Sequence, residues 1–157
     1  YLKLMINDKK FTLFLINKLG IPYKNKTENA KIPNQFINWK FSKHILRGLF
    51  ETDGSLYFSK LTYLHKYPRI EIKTKSKFLS KQLYSILLQK AFKVNKRTDK
   101  EGINRVYLSG HTMLDMWEKE IGFGSIRTLS KYLIKKKLGH YIPRSTTKER
   151  LILLNNN

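Results

Sequence analysis

Apolar residues recur at three- and four-residue spacing in some stretches of the chain and at every second position in others, which separates helices from strands. In "DKKFTLFLINKL", residues 8–19, Phe11, Phe14, Leu15 and Leu19 share one helical face behind a cap at Asn7 or Asp8. The "GIP" at 20–22 predicts where that helix stops. Residues 23–40 are polar and rich in Lys and Asn, with Pro33 and then Phe36, Ile37 and Trp39, and they read as an extended linker docked through its aromatics. The domain proper is expected to begin near Ser42. Residues 1–41 then form an N-terminal helix and linker, and residues 42–157 a domain with a basic C-terminal tail.

From Ser42 as N-cap, Ile45, Leu46, Leu49 and Phe50 mark one face of a helix, while Gly48 and Thr52 form a second, small-residue face that invites close approach of another helix. Strand-like "SLYFSKL" turns Leu56 and Phe58 inward and Tyr57 and Ser59 outward, and in "RIEIKTK" Ile70 and Ile72 alternate with Arg69, Glu71, Lys73 and Lys75. Ser76 caps a further helix with Phe78, Leu79, Leu83, Leu87 and Leu88 as its apolar face. A second hairpin follows, "FKVNKRT" and "INRVYLS" about a "DKEG" turn, with Val106 and Leu108 inward and Arg105 and Tyr107 outward. Helices are expected over about 111–121 and 126–137. The order predicts an α+β fold, with helices covering one face of a four-stranded antiparallel sheet.

Composition decides what the uncovered face is for. Among 157 residues, Lys and Arg outnumber Asp and Glu by 32 to 11, a formal net charge of +21. That imbalance calls for a polyanionic partner, nucleic acid ahead of an acidic membrane surface. Apolar residues at 41% and aromatics at 13% support a packed core and exclude a disordered basic tail. The length fits one domain. No apolar run reaches membrane-spanning length, no signal-peptide pattern is present, and the absence of cysteine excludes disulfides and thiolate metal sites, so an intracellular, non-secreted location is expected. Opening on Tyr1 instead of Met, the chain reads as a trimmed or processed piece.

Arg69, Lys73, Lys75, Arg97, Arg105 and Tyr107 would lie on one concave ribbon surface, the shape and chemistry that enter a major groove. The plainer reading is that a half-exposed sheet needs a polar outer face.

The nine residues "LRGLFETDG", Leu46 to Gly54, resemble the signature of the LAGLIDADG homing endonucleases, with Leu46, Gly48, Leu49, Asp53 and Gly54 matching and Glu51 replacing an Asp. Arg47, Phe50 and Thr52 depart from it. The surrounding αββαββα order over about 42–137, the stretches "TKSKFL" and "IGFGSIRTLSKYL", and the lead-in "KIPNQFI" are similar to the family as well. The lead-in and lysine-rich tail look most like archaeal intron-encoded members.

That resemblance implies a homodimer in which two such helices pack on Gly48 and Thr52 and bring their Asp53 carboxylates together. Helix C-termini carry partial negative charge, so the paired acids require a cation between them. The resemblance supplies magnesium, held by Asp53 of both subunits, the Thr52 carbonyl and the scissile phosphates of double-stranded DNA; calcium or manganese can occupy the same site. Thr74 falls where the family often has a Gln that orders water, and Arg127 where a Lys often stabilises developing charge. Lys75 is the alternative at that pocket. A simple phosphate contact accounts for Arg127 equally well, and an ordinary Asp-Gly turn is the alternative for Asp53. Glu51 points about 200° away from Asp53 on a helix and suits a capping or surface-pair role.

The expected DNA-binding residues are Tyr57, Ser59, Arg69, Glu71, Lys73, Lys75, Asn95, Arg97, Arg105 and Tyr107, all but Arg69 and Lys75 as plausible base readers. His65 is expected in a loop facing DNA, Trp39 and Trp117 in the core, and Lys135–Lys137 on the DNA backbone. His44, His65, His111 and His140 lack metal-ligand spacing, and no Gly-rich phosphate loop or Ser/His/Asp arrangement is visible. The resemblance therefore implies a magnesium-dependent, site-specific endonuclease without organic cofactor or membrane partner, cutting a palindromic or near-palindromic target. The rivals are an RNA maturase or DNA-binding regulator on the same scaffold, and a ribosomal-type RNA-binding protein.

Overall fold

A computed structural model describes residues 7–21, 24 and 26–156. The first helix, α1, spans Lys9–Asn17, with the Asp8 carboxylate accepting the Phe11 N–H at 3.1 Å. None of its residues is buried. Pro22, expected to stop it, lies outside the described residues.

The stretch expected to be an extended linker instead holds a short helix, α2, at Lys26–Asn29 and a 3-10 turn at Asn34–Phe36. Docking explains the difference. The Gln82 side chain brackets buried Ile32, its Oε1 accepting the Ile32 N–H and its Nε2 donating to the Ile32 carbonyl, each at 2.8 Å. Ser76 Oγ also donates to the Ala30 carbonyl at 2.7 Å. These bonds satisfy backbone groups that would otherwise be stranded against the domain.

Helix α3 spans Trp39–Asp53 and starts earlier than Ser42, because Asn38 takes the cap: its Oδ1 accepts the Phe41 N–H at 3.3 Å. Ser42 is fully buried and donates its hydroxyl to the Asn38 carbonyl at 2.9 Å. Leu46 and Phe50 form the core side of α3, the Phe50 ring lying 5.1 Å from that of fully buried Trp117. Strand β1, Gly54–Leu61, follows with no intervening loop. Gly54 has φ −97°, open to any residue, but a Cβ there would sit 2.5 Å from the Phe50 carbonyl oxygen and 2.7 Å from its Cα. Close approach, not backbone freedom, puts a glycine after Asp53.

Strand β2, Leu64–Thr74, is joined to β1 through Thr62 and Tyr63, both left-handed at φ 52° and 68°. Leu56, Phe58, Ile70 and Ile72 point into the core as their alternation predicts. Helix α4, Lys77–Gln89, is capped by Ser76 and buries Leu79, Leu83, Ile86 and Leu87. Phe78 and Leu88, assigned to its apolar face from spacing, are exposed; the buried face is turned toward Ile86. Strands β3, Val94–Thr98, and β4, Asn104–Ser109, complete an antiparallel sheet of order β1-β2-β4-β3. Helices α5, His111–Glu120, and α6, Ile126–Leu138, fall where expected. The expected basic tail instead forms α7, Thr147–Asn155, whose first turn is closed by reciprocal bonds between Thr146 and Glu149.

Helices α3, α4 and α5 pack on the sheet, and the core lies between. The opposite face of the sheet is left open. Among the described residues no helix is long and apolar enough to cross a membrane.

Candidate functional site

Three faces of α3 do three different things. Phe41, His44, Gly48 and Thr52 form a stripe exposed along the chain's surface, and a side chain at Gly48 would meet nothing within 4 Å. On one flank Glu51 is tied to the segment between α5 and α6: its Oε1 accepts the Gly124 N–H at 2.8 Å and its Oε2 the Thr128 hydroxyl at 3.4 Å. On the other flank Leu49 and Asp53 open into a groove of about 430 Å³. The roughly 200° between Glu51 and Asp53 on the helix accounts for this division.

The groove brings together Asp53, Thr74 and Lys75, with Lys73 beside them and Thr27 and Ala30 of the N-terminal segment on its rim. Asp53 is exposed at the helix end, where the last carbonyls, Thr52's among them, have no following helical turn to bond. The Thr52 hydroxyl turns back onto its own helix, 3.3 Å from the Gly48 carbonyl and 3.2 Å from that of Leu49. Thr74 Oγ1 accepts the Ser76 N–H at 3.1 Å.

Arg127 does not line this groove. It is exposed on the first turn of α6, where its carbonyl accepts the Ser130 hydroxyl at 3.1 Å and Arg150 Nη2 at 3.2 Å. One turn further, the Lys131 ammonium donates to the Leu56 carbonyl, near the start of β1, at 3.2 Å; it does not line the Asp53 groove either. Burial, then the nearby Arg150 and Arg127 charges, hold its pKa below the ordinary lysine value. Spacing four residues after Arg127 was the available signal; the burial depends on α7, which the sequence pattern did not reveal. Arg150 of α7 is itself buried and, among the described residues, bonded only to neutral oxygens, including Ser130 Oγ at 2.9 Å, Thr147 Oγ1 at 3.0 Å and the Ser145 carbonyl.

On the open face of the sheet the side chains form rows fixed by register. Ser55, Glu71, Tyr107 and Asn95 make one, Tyr57, Arg69 and Ser109 a second, and Lys73, Arg105 and Arg97 a third. Two expected readers are already engaged. Glu71 is only 3% exposed and holds Arg105 Nη1 at 3.0 Å, with Lys73 at 3.5 Å. Asp99 takes the other side of the same guanidinium at 2.8 Å, and Arg105 with two backbone N–H groups holds the Asp99 carboxyl below the usual range. Expected among the outward readers, Glu71 is instead buried and paired with Arg105, which it supports from below.

Tyr57, Ser59, Arg69, Lys73, Asn95, Arg97 and Tyr107 remain accessible on or beside this face. The Arg97 guanidinium lies 5.8 Å from the Tyr107 ring centre, and Arg69 Nε is buried without a hydrogen-bond partner among the described residues. His65 is not in a loop: it lies in β2, bonded through Nδ1 to the Phe58 carbonyl at 2.9 Å. Lys137, expected on a DNA backbone, instead caps α7, its ammonium donating to the carbonyls of Leu153, Leu154 and Asn156. Trp117 is core; Trp39 is half-buried beneath the Lys90 ammonium.

Among the described residues no three His, Cys, Asp or Glu side chains cluster as a metal cage within one chain. Asp53 and the carbonyls beside it are hard oxygen donors, which suit magnesium when further oxygens come from elsewhere. No protein-family model matches the chain, and no curated protein matches it either.

Proposed function

We propose that the chain is a site-specific DNA endonuclease acting as a homodimer, in the manner of single-motif LAGLIDADG homing endonucleases, on a palindromic or near-palindromic duplex. The observation that carries the proposal is the position of Asp53. The acid stands at an exposed helix end, in a groove shared with Thr74 and Lys75, between a small-residue stripe and a basic open sheet. A twofold axis along the Gly48–Thr52 stripe pairs the two Asp53 groups and extends the open sheets into one continuous surface.

Asp53 from each subunit and the Thr52 carbonyl are the groups that would hold magnesium together with the scissile phosphates. When bound, the ion supplies acidity to water and neutralises charge on the leaving oxygen. Thr74 positions a water through its hydroxyl. Lys75 draws the phosphate into the groove, and Lys131 offers a partly desolvated ammonium near the start of β1 to the charge that develops on phosphorus oxygens. Arg69, Arg97 and Lys73 fix the duplex on the sheet, with Tyr57, Asn95 and Tyr107 placed to read base edges.

A randomised-site cleavage selection with magnesium tests this directly. A discrete double-strand cut at a symmetric site, abolished by Asp53→Asn, supports the reading. Tight binding of DNA or structured RNA with no cut under any divalent cation would replace it with a regulator or maturase on this scaffold.

A further inference from the structure

A second groove lies off the open sheet face, between the first turns of α4 and the edge strand β3. It is lined by Lys77, Ser80 and Lys81 of α4 and by Lys96, Arg97 and Thr98 of β3, the Thr98 hydroxyl donating to Asn104 Oδ1 at 2.9 Å. The cavity is about 340 Å³, and no carboxylate lines it. Lys77 and Lys81 are four apart on one helix, where like charges repel and cost helix stability.

Lys96 faces the helix side of the sheet by register, opposite buried Val106, and its ammonium lies 4.9 Å from the Tyr84 ring centre. An inward lysine also protects an edge strand from pairing with another chain. That role explains Lys96 alone; it explains neither lysine of α4 nor Arg97. Arg97 borders the groove, but its side chain stands on the open face in the row with Lys73 and Arg105, beside the Tyr107 ring.

We propose that this groove is a phosphate-binding site for the backbone of duplex DNA that continues past the edge of the sheet. The inference rests on the duplex-binding part of the proposed function and adds an anchor outside the sheet's reading surface. The three lysines, Lys77, Lys81 and Lys96, suit a phosphodiester, whose oxygens accept hydrogen bonds from the ammoniums and relieve their mutual repulsion. The anchor contacts backbone only, so it raises affinity for every sequence alike.

The test is equilibrium binding of a mixed-sequence duplex across salt concentrations, with calcium in place of magnesium. Lys77→Gln with Lys81→Gln is compared with wild type and with a charge-matched pair elsewhere, Lys119→Gln with Lys148→Gln. Losing two phosphate contacts lowers the salt slope by about 2, so raising salt from about 50 to 200 mM costs the groove variant about tenfold less affinity than wild type. The control pair keeps the wild-type slope. An unchanged slope, or an equal change in the control, overturns the groove, and a change seen on structured RNA but not duplex DNA overturns its assignment to DNA. If the wild type binds duplex but never cuts, the cleavage reading falls while the slope still decides the groove; if it binds no duplex, both fall.

Discussion

The Glu51 carboxylate accepts the Gly124 N–H at 2.8 Å, while Asp53, two residues later, faces the groove on the other side of the same helix. The two acids therefore separate by experiment. Glu51→Ala removes two bonds, one tying α3 to the segment before α6 and one to its first turn, and is expected to destabilise the fold by about 1–2 kcal/mol. Asp53→Asn alters no core contact and should shift stability by less than about 0.5 kcal/mol. Its cleavage rate should fall by about 10²-fold or more. Chemical denaturation and a cleavage assay on both variants check the division; equal loss of cutting without loss of stability in Glu51→Ala would sink it.

Gly54 gives a second, sharper test of how the acid is placed. A methyl at this position must push into the Phe50 carbonyl and Cα, at 2.5 and 2.7 Å. Gly54→Ala should cost about 1–3 kcal/mol, as overpacking does, and should displace the end of α3 that carries Asp53. Urea unfolding gives the stability change. The left-handed requirement that usually explains glycine after a helix predicts no such steric penalty, since φ here is −97°.

Much of this arrangement was legible from period alone. The alternation of Leu56 with Phe58 and of Ile70 with Ile72 fixed the strand faces, and Ser76 announced α4 through its cap. Other features were not, for identifiable reasons. Asn38 outcompeted Ser42 as cap because the chain before α3 is anchored by Gln82 and leaves Ser42 inside. The β1–β2 turn carries no Gly, Asn or Asp; Thr62 and Tyr63 adopt left-handed backbone without that signal. Glu71 alternates outward as its position requires, yet Arg105 and Asp99 close over it, a tertiary fact absent from the pattern. The same holds for Lys131, whose surroundings include a helix read as a tail.

The exposed stripe on α3 makes a prediction with opposite signs in two measurements. Gly48 lies inside a helix with open space around it, so Gly48→Gln should stabilise the isolated fold by about 0.5–1 kcal/mol. In a dimer packed on that stripe the added side chain keeps the helices apart. Sedimentation equilibrium should then show association weakened about tenfold or more, with cleavage lost in step. A variant that dimerises and cuts like wild type would place the interface elsewhere.

The Asp99–Arg105 pair predicts a pH dependence. Arg105, and the N–H groups of Ile103 and Glu101, lower the folded-state pKa of Asp99 from its ordinary 3.8. A depressed carboxylate stabilises the fold above the unfolded value, and that contribution is lost as pH falls through the lowered folded value. Asp99→Asn should therefore melt below wild type at neutral pH, and the gap should close as pH falls through the lowered folded-state value. Melting curves at neutral and acidic pH read the sign; a gap that widens in acid contradicts the assignment.

Lys131 carries the last prediction, because its lowered pKa bears on stability and, under the proposed chemistry, on rate. The unfolded chain binds its proton more tightly than the folded one, so this group's contribution to stability grows as pH rises through the window below the ordinary 10.5. Activity runs the other way. An ammonium that offsets charge at phosphorus is lost as the amine deprotonates, giving an alkaline fall in rate at a pH below that of an ordinary lysine. Lys131→Gln should cut about 10²-fold more slowly at neutral pH. Lys131→Arg should retain most activity and lose the alkaline limb, since a guanidinium stays protonated. Rate–pH profiles of the three proteins decide the matter: a glutamine variant that cuts as fast as wild type removes Lys131 from the chemistry and leaves it as a tie between α6 and β1.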